Sequence, residues 1–218
     1  MQLADWPPIQ LTSLQHIGAL KRVLHYLQGT KEYGITYQSQ TPQGRNLFYG
    51  FADAAYANTD DYKSTSGQVF LAAGGVITCH LKKQTVITLS STEAEYVTLS
   101  KAGREACWLR NLCKELGFPQ SKPTEIRGDN MGAILIVWNP QFHKWSKHIA
   151  TKWHWIWDLI QNGIIWAKSC WNPEQTADML TKALACQKHK KHTTEMRVAN
   201  VWRGVKRYAL SDDKQLLR

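Results

Sequence analysis

Four acidic residues stand at positions from which they can act together: Asp53, Glu95, Asp129 and Asp178. Carboxylates converging from separate elements suit hard divalent cations, which want oxygen ligands. Two Mg²⁺ ions roughly 3.5–4 Å apart can hold the attacking and leaving oxygens of a phosphodiester displacement. Four anions packed together without cations repel one another, so metal is the natural completion of the set. Taken singly, each acid has a plainer reading. An Asp is commonly a cap or turn residue, and Glu95 can curl to the edge of its helix and be solvated. Spacing alone leaves both readings open.

The elements that must position these acids are legible from periodicity. From Glu95 onward, Leu99, Ala102, Ala106, Leu109, Cys113 and Leu116 follow alternating steps of four and three, the core-facing stripe of an α-helix. Glu93 lies on a different, mixed line with Val97, Lys101, Arg104 and Trp108, expected at the rim. Ser90, Ser91 and Thr92 are suitable N-cap hydroxyls, and Glu93 favours the positive end of the helix. The helix should end near Gly117, with Pro119 beyond it. Leu47 to Ala54 reads as a strand, with Leu47, Tyr49, Phe51 and Asp53 on one face. Its other face (Phe48, Gly50, Ala52, Ala54) is mostly small and suits close helix packing.

Gln68–Ala72 and Val76–Leu81 form a hairpin signal around Gly74-Gly75, and Thr85–Leu89 either extends its second strand or stands alone. Thr124–Asp129 is a short strand, Asn130 to Trp138 a short helix, Lys147 to Gln161 another helix and Gly163 to Cys170 a fifth strand. Asn172-Pro173 opens a last helix running to Leu184. Before all of this, a helix is expected from Leu14 to Gln28, then a short strand within 30–37 and a linker over Ser39–Asn46. Three strands, a helix, then alternating strand and helix make a mixed α/β sheet.

Composition bounds the function classes. The chain has 218 residues, 43% hydrophobic and 20% charged, and no apolar run of membrane-spanning length. It shows no charged-then-apolar leader, and its five scattered cysteines form no CxxC pair. Reduced thiols in a cytoplasmic or nuclear setting, without secretion, are the expectation. A net charge of +10 suggests an anionic partner, nucleic acid being the usual one. Residues 185–218 hold nine Lys/Arg against three Asp/Glu, giving +6 and leaving +4 for the rest. Neither His143, His148 nor His154 sits in a zinc-spaced cluster, so no zinc is expected.

Seven motifs occur in order: Tyr49-Gly-Phe-Ala-Asp53, Lys63-Ser-Thr-Ser-Gly-Gln-Val-Phe70, Lys82-Lys-Gln84, Leu89-Ser-Ser-Thr-Glu-Ala-Glu-Tyr96, Gly128-Asp-Asn130, Lys147-His-Ile149 and Ala177-Asp-Met-Leu-Thr-Lys182. Together they closely resemble the ribonuclease H domain of copia-type LTR retrotransposon Pol polyproteins, over about residues 46–184. The segment Ala19–Thr30 looks like the helix closing the reverse-transcriptase half of the same polyprotein. The resemblance implies a remnant of that half over residues 1–45, a ribonuclease H domain over 46–184 and a basic extension over 185–218. It implies a ribonuclease H-like α/β fold: a mixed five-stranded sheet, three strands antiparallel and two parallel, flanked by helices, with the strands of Asp53 and Asp129 adjacent.

Matched by motif, the catalytic and metal-binding acids fall on Asp53, Glu95, Asp129 and Asp178, a choice of Glu95 over Glu93 that the helix periodicity makes independently. The implied chemistry is metal-dependent cleavage of the RNA strand of an RNA–DNA hybrid by two Mg²⁺ ions, with Mn²⁺ as a substitute, leaving 5′-phosphate and 3′-hydroxyl ends. The implied partners are the hybrid and the reverse-transcriptase domain of the same polyprotein, in a cytoplasmic retroelement particle or the nucleus. Ser90, Ser91, Thr92 and Asn130 sit beside the acids as candidate substrate contacts, with capping as their plainer role. Lys82, Lys83 and Gln84 are candidate backbone contacts, with a solvated strand edge as the plainer account.

The pattern also departs from the family. Ala150 stands where relatives carry an acid, Ala183 replaces a proline, and His80-Leu81 replaces a tryptophan-containing lead-in. The loop Asn172–Thr176 lacks a histidine. No Tyr-x-Asp-Asp motif is present, so no polymerase activity is expected. Against an active nuclease stands a catalytically idle connection or domesticated module binding nucleic acid or protein, and after it a structural remnant.

Overall fold

The computed structural model describes residues 14–38, 48–139 and 150–201. The expected linker over Ser39–Asn46, the Lys147-His-Ile149 motif, Trp145, His143 and residues 202–218 lie outside them. The chain divides into two compact units, Ile35–Val198 and a smaller one made of residues 1–34 and 199–218. The larger unit therefore starts before residue 46 and runs past residue 184.

Its centre is a five-stranded sheet formed by β2 (Phe48–Ala55), β3 (Thr65–Ala72), β4 (Gly75–Lys83), β5 (Thr124–Gly128) and β6 (Ile165–Ser169), in the order β4-β3-β2-β5-β6. The pairs β2–β3 and β3–β4 are antiparallel, while β2–β5 and β5–β6 are parallel. This is the ribonuclease H-like arrangement. The helices are α2 (Ser91–Glu115), α3 (Met131–Trp138), α4 (Ala150–Gln161), α5 (Asp178–Thr181) and α6 (Cys186–Glu195). In the smaller unit, α1 (Leu14–Thr30) leaves Ile17, Leu20, Leu24 and Leu27 exposed. The division between units falls inside β1 (Tyr33–Ile35) and β7 (Val198–Asn200), which pair as a second sheet. Among the described residues, no helix is long and apolar enough to cross a membrane.

The β3–β4 hairpin turns on Ala73 and Gly74, both at positive φ (50° and 79°), which matches the right-handed twist of the flanking strands. The two faces of β2 part the core. Phe48 and Ala52 pack with Phe70, Leu99, Ala102 and Ile126 under α2, whereas Phe51 joins Val69, Leu71, Val76, Ala177 and Met196 on the opposite side. Each fully buried Leu or Phe contributes about 1.5–3 kcal/mol. Along α2 the stripe Glu95, Leu99, Ala102, Ala106 and Leu109 is buried, Cys113 is half-buried and Leu116 is exposed. Val97, expected at the rim, is buried as well.

Two expected elements take other forms. Residues 85–89 are not a strand, because Gln84 turns inward and ends the edge. Its amide donates to Ser66 Oγ (3.0 Å) and Ala94 O (2.9 Å), and its own N–H bonds Ser64 O (2.7 Å). The helix expected from Asn172 to Leu184 is instead a 3₁₀ turn over Asn172–Glu174 and the single turn of α5. Between them, buried Gln175 donates to Ala52 O (3.0 Å) and Thr176 to Glu195 Oε2 (3.1 Å). Tertiary bonds there replace the helix's own.

The Gln84 amide ties β3 to α2 from inside. Gln84→Ala removes these hydrogen bonds and opens a void, so it should cost about 2–3 kcal/mol of stability. Urea unfolding reads this, and a loss under about 0.5 kcal/mol would deny the amide a stabilising role.

Candidate active site

The fold brings the acids together from four elements. Asp53 lies on β2, Glu95 in the first turns of α2, Asp129 just after β5, and Asp178 opens α5. Carboxylate oxygens of Asp53, Asp129 and Asp178 lie within 4.8 Å of one another. Glu95 stands beside them, its Oε1 accepting from Ala54 N at 3.1 Å, one residue past Asp53.

Each position has a local cause. The parallel pairing of β2 with β5 sets Asp53 and Asp129 at neighbouring strand ends. Asp53 faces Gly67 across the β2–β3 register. A Cβ on Gly67 would come within 2.7 Å of Thr181 Cγ2 and 3.2 Å of Leu180 Cβ, so the glycine lets α5 approach the sheet. Thr181 Oγ1 then donates to Asp53 Oδ2.

Two lysines sit on the acids. Lys182 Nζ bridges Asp53 Oδ1 (3.1 Å) and Asp178 Oδ1 (2.7 Å), while Lys188 Nζ reaches Asp178 Oδ2 (2.6 Å) and Asn172 Oδ1 (3.3 Å). Asn172 in turn donates to Asp129 Oδ2 at 3.4 Å. Sequence reasoning missed both lysines as parts of the site. The i,i+4 step from Asp178 to Lys182 on a helix was a usable signal. Lys188 carries none, because composition marks residues 185–218 only as a basic extension.

Burial, and then the charge of Asp53, pushes the Glu95 carboxyl up to about 9. Burial and Asp53 also raise Asp129. Burial alone would lower Lys182, but its hydrogen bond to Asp178 and the charge of Asp53 outweigh that and raise it.

The candidate substrate contacts are mostly engaged. Ser90 is the N-cap of α2, its Oγ accepting from Glu93 N (3.2 Å), while the Glu93 carboxylate accepts from Leu89 N (2.6 Å) in the manner of a capping box. Asn130 caps α3 through Ala133 N at 3.0 Å. Ser91 is exposed and Thr92 half-buried in the first turn of α2. Lys83 pairs with Asp61 at 2.6 Å and is not among the groups bonded to the acids. The three close carboxylates offer hard oxygen donors, a set that could hold a divalent metal ion.

A sheet of this order with acids gathered from β2, α2, β5 and α5 is a ribonuclease H-like fold carrying an acidic site. Comparison with known proteins places it further. Over 172 residues, 78% of its length, the chain is 40% identical to the retrovirus-related Pol polyprotein from transposon RE2 of Arabidopsis thaliana. It is 33% identical over 171 residues to that from transposon TNT 1-94 of Nicotiana tabacum. The chain is thus similar to one stretch of copia-type Pol polyproteins and spans 12% of the length of either. It is also 45% identical over 95 residues to the secreted RxLR effector protein 161 of Plasmopara viticola, covering 43% of this chain and 65% of that one. No family model matches. Among solved structures, a ribonuclease H1 isolated from compost has a TM-score of 0.48 at 15% identity, covering 62% of this chain and 93% of that one. The ribonuclease H domain of prototype foamy virus has a TM-score of 0.45 at 15% identity, covering 68% and 97%.

A raised Glu95 has a signed consequence. Its folded value near 9 exceeds the ordinary 4.5, so the native state holds the extra proton between those values. Stability without metal therefore falls as pH rises through that window, by up to about 1.4 kcal/mol per pH unit. Lys182, raised from an already high value, adds no slope there. Melting temperature in EDTA should drop from pH 5 to pH 9, and Glu95→Gln should flatten the curve. A slope unchanged in that variant assigns the proton elsewhere.

Proposed function

We propose that the chain is a metal-dependent endoribonuclease cutting the RNA strand of RNA–DNA hybrids, by two-metal hydrolysis that leaves 5′-phosphate and 3′-hydroxyl ends. The observation that carries this reading is the gathering of Asp53, Asp129 and Asp178 within 4.8 Å, with Glu95 beside them. Affinity for cations at this spot is visible in the two ammonium groups already on these oxygens. Asp53, Glu95, Asp129 and Asp178 would hold Mg²⁺, or Mn²⁺ in its place. Bound divalent cations supply charge stabilisation and a water nucleophile at neutral pH.

The protein's own groups prepare the rest. Thr181 and the Ala54 N–H fix the carboxyls of Asp53 and Glu95. Ser90 accepts a capping bond yet keeps its hydroxyl proton, and Asn130 caps through its oxygen and keeps its amide donors. With Ser91 and Thr92, these can donate to 2′-hydroxyls and phosphates of a strand laid over the acids. Lys83, held by Asp61, contributes less. In a full polyprotein, the reverse-transcriptase domain would be the neighbour that delivers the hybrid, within a cytoplasmic particle or the nucleus.

One observation favours a second reading, an idle module. Lys182 and Lys188 neutralise the acids from within, so the fold balances its buried carboxylates without metal.

Two variants separate the readings. Asp129→Asn should cut hybrid cleavage in Mg²⁺ or Mn²⁺ by about 10²–10³-fold or more, with melting and hybrid binding retained, since several kcal/mol of transition-state stabilisation depend on the metal site. Lys182→Met should tighten Mn²⁺ binding measured by calorimetry, because the ion no longer competes with an ammonium group. Undetectable Mn²⁺ binding in both parent and Lys182→Met, with no cleavage, would establish the idle module.

A further inference from the structure

A second charged feature lies on the other flank of α2. At the exposed edge of the sheet, β4 and α2 leave a groove of about 580 Å³, walled by Lys82 on one side and by Lys101 and Arg104 on the other, with Ser66 and Gln68 among its lining. Ser66 faces Lys82 across the β3–β4 register, and Gln68 faces His80. Lys101 and Arg104 are three residues apart on α2 and so share a face, about 4.5 Å apart along the axis. Arg104 is nine residues beyond Glu95, half a turn round the helix, so the groove and the acids do not share a helix face.

The groove carries uncompensated charge. Lys82 and Arg104 have no acceptor among the described residues, and Lys101 donates to Ser66 Oγ at 3.1 Å. Lys83 is offset by Asp61, and the one carboxylate in the lining, Glu105, stands 3.4 Å from His80 Nε2. Lys82, Lys101 and Arg104 against Glu105 leave a net +2 (3 − 1). Gln68 is 92% buried in the lining, and its Oε1 has no hydrogen-bond partner. A buried amide oxygen is an acceptor, so it is costly unless a donor, such as a sugar hydroxyl of a bound strand, completes it. Leu81 is the only large apolar residue in the lining, so the groove lacks the apolar seats that anchor a peptide. Lys and Arg converging over hydroxyl and amide groups suit phosphate oxygens.

We infer that the β4–α2 groove is a second nucleic-acid contact, in which Lys82, Lys101 and Arg104 bind backbone phosphates of a polynucleotide away from the acids. The inference rests on the nucleic-acid reading above only for the identity of the ligand; its geometry is independent of the acid cluster. The groove sets affinity, not chemistry.

The test is salt-dependent binding of the full chain to a fluorescent RNA–DNA hybrid in EDTA, so that cleavage plays no part. Lys82→Gln/Arg104→Gln is compared with a charge-matched control, Lys31→Gln/Lys114→Gln, both first checked by thermal melting. Loss of two phosphate contacts should reduce the slope of log K against log salt by about 1.8 and weaken binding about tenfold or more near 0.1 M salt. The control should stay near the parent. If the groove variant matches the control, the inference is overturned. If inorganic phosphate raises the parent's melting temperature, but not the variant's, while the hybrid slope is unchanged, the groove takes a small anion and the polynucleotide assignment falls. A reduced slope in a chain that cleaves nothing leaves this site standing while the nuclease reading fails.

Discussion

The rest of the active-site end depends on how one carboxyl is buried. Asp53 has no exposed surface, and it sits where β2 passes between α2 and the α5 turn. A carboxylate there must be paired, because an isolated buried charge costs far more than a domain's net stability can absorb. The pairing comes from residues distant in sequence, Thr181 and Lys182 on the α5 side. That approach needs Gly67 opposite Asp53, since any side chain there would meet Thr181 and Leu180. It also needs the preceding loop to be pinned, which Gln175 does by donating to Ala52 O beside Asp53. Strand, glycine, loop and one-turn helix are thus parts of one solution to one burial.

This dependence explains what could be read from the sequence and what could not. The core-facing stripe of α2 was legible because helix periodicity is local, and it singled out Glu95, leaving Glu93 to the cap. The hairpin was legible from Gly74, and the strand of Asp53 from its alternation. The segment 172–184 was not. Its composition suits a continuous helix, but Gln175 and Thr176 are buried and bonded to β2 and α6, partners more than 15 residues away. Gln84 is hidden from local pattern for the same reason: beside two lysines it looks like part of a surface, yet its side chain is fully buried beneath α2. Local pattern reports propensity, and tertiary bonds override it where the site is built.

α2 is the element on which both charged features draw. Its first turns present Glu95 towards the acids, and its middle presents Lys101 and Arg104 to the β4 edge. Between them, Thr98 and Ala94 meet Ser66 and Gln84 in a buried hydroxyl–amide cluster (Thr98 Oγ1 to Ser66 Oγ, 2.8 Å). Ser66 belongs to both settings, accepting from Thr98 inside and from Lys101 at the groove. Because buried cores deform little, that cluster holds the helix at one height on the sheet. The spacing between acids and groove is thereby fixed by packing, which is what two contacts on one polymer would require.

The chain's positive charge bears on the same point. Sequence places more than half of the excess in residues 185–218, which suggests a nucleic-acid arm. In the structure, two of the lysines of α6 are engaged by the protein itself: Lys188 holds Asp178, and Lys191 donates to Pro173 O at 2.7 Å. Those cations brace the site and add little to the field a ligand meets. Lys82 and Arg104, in a part of the chain with a smaller excess, remain unneutralised among the described residues. Net charge therefore suggests no more than an anionic partner, while a docking place follows from which cations the fold leaves without acceptors.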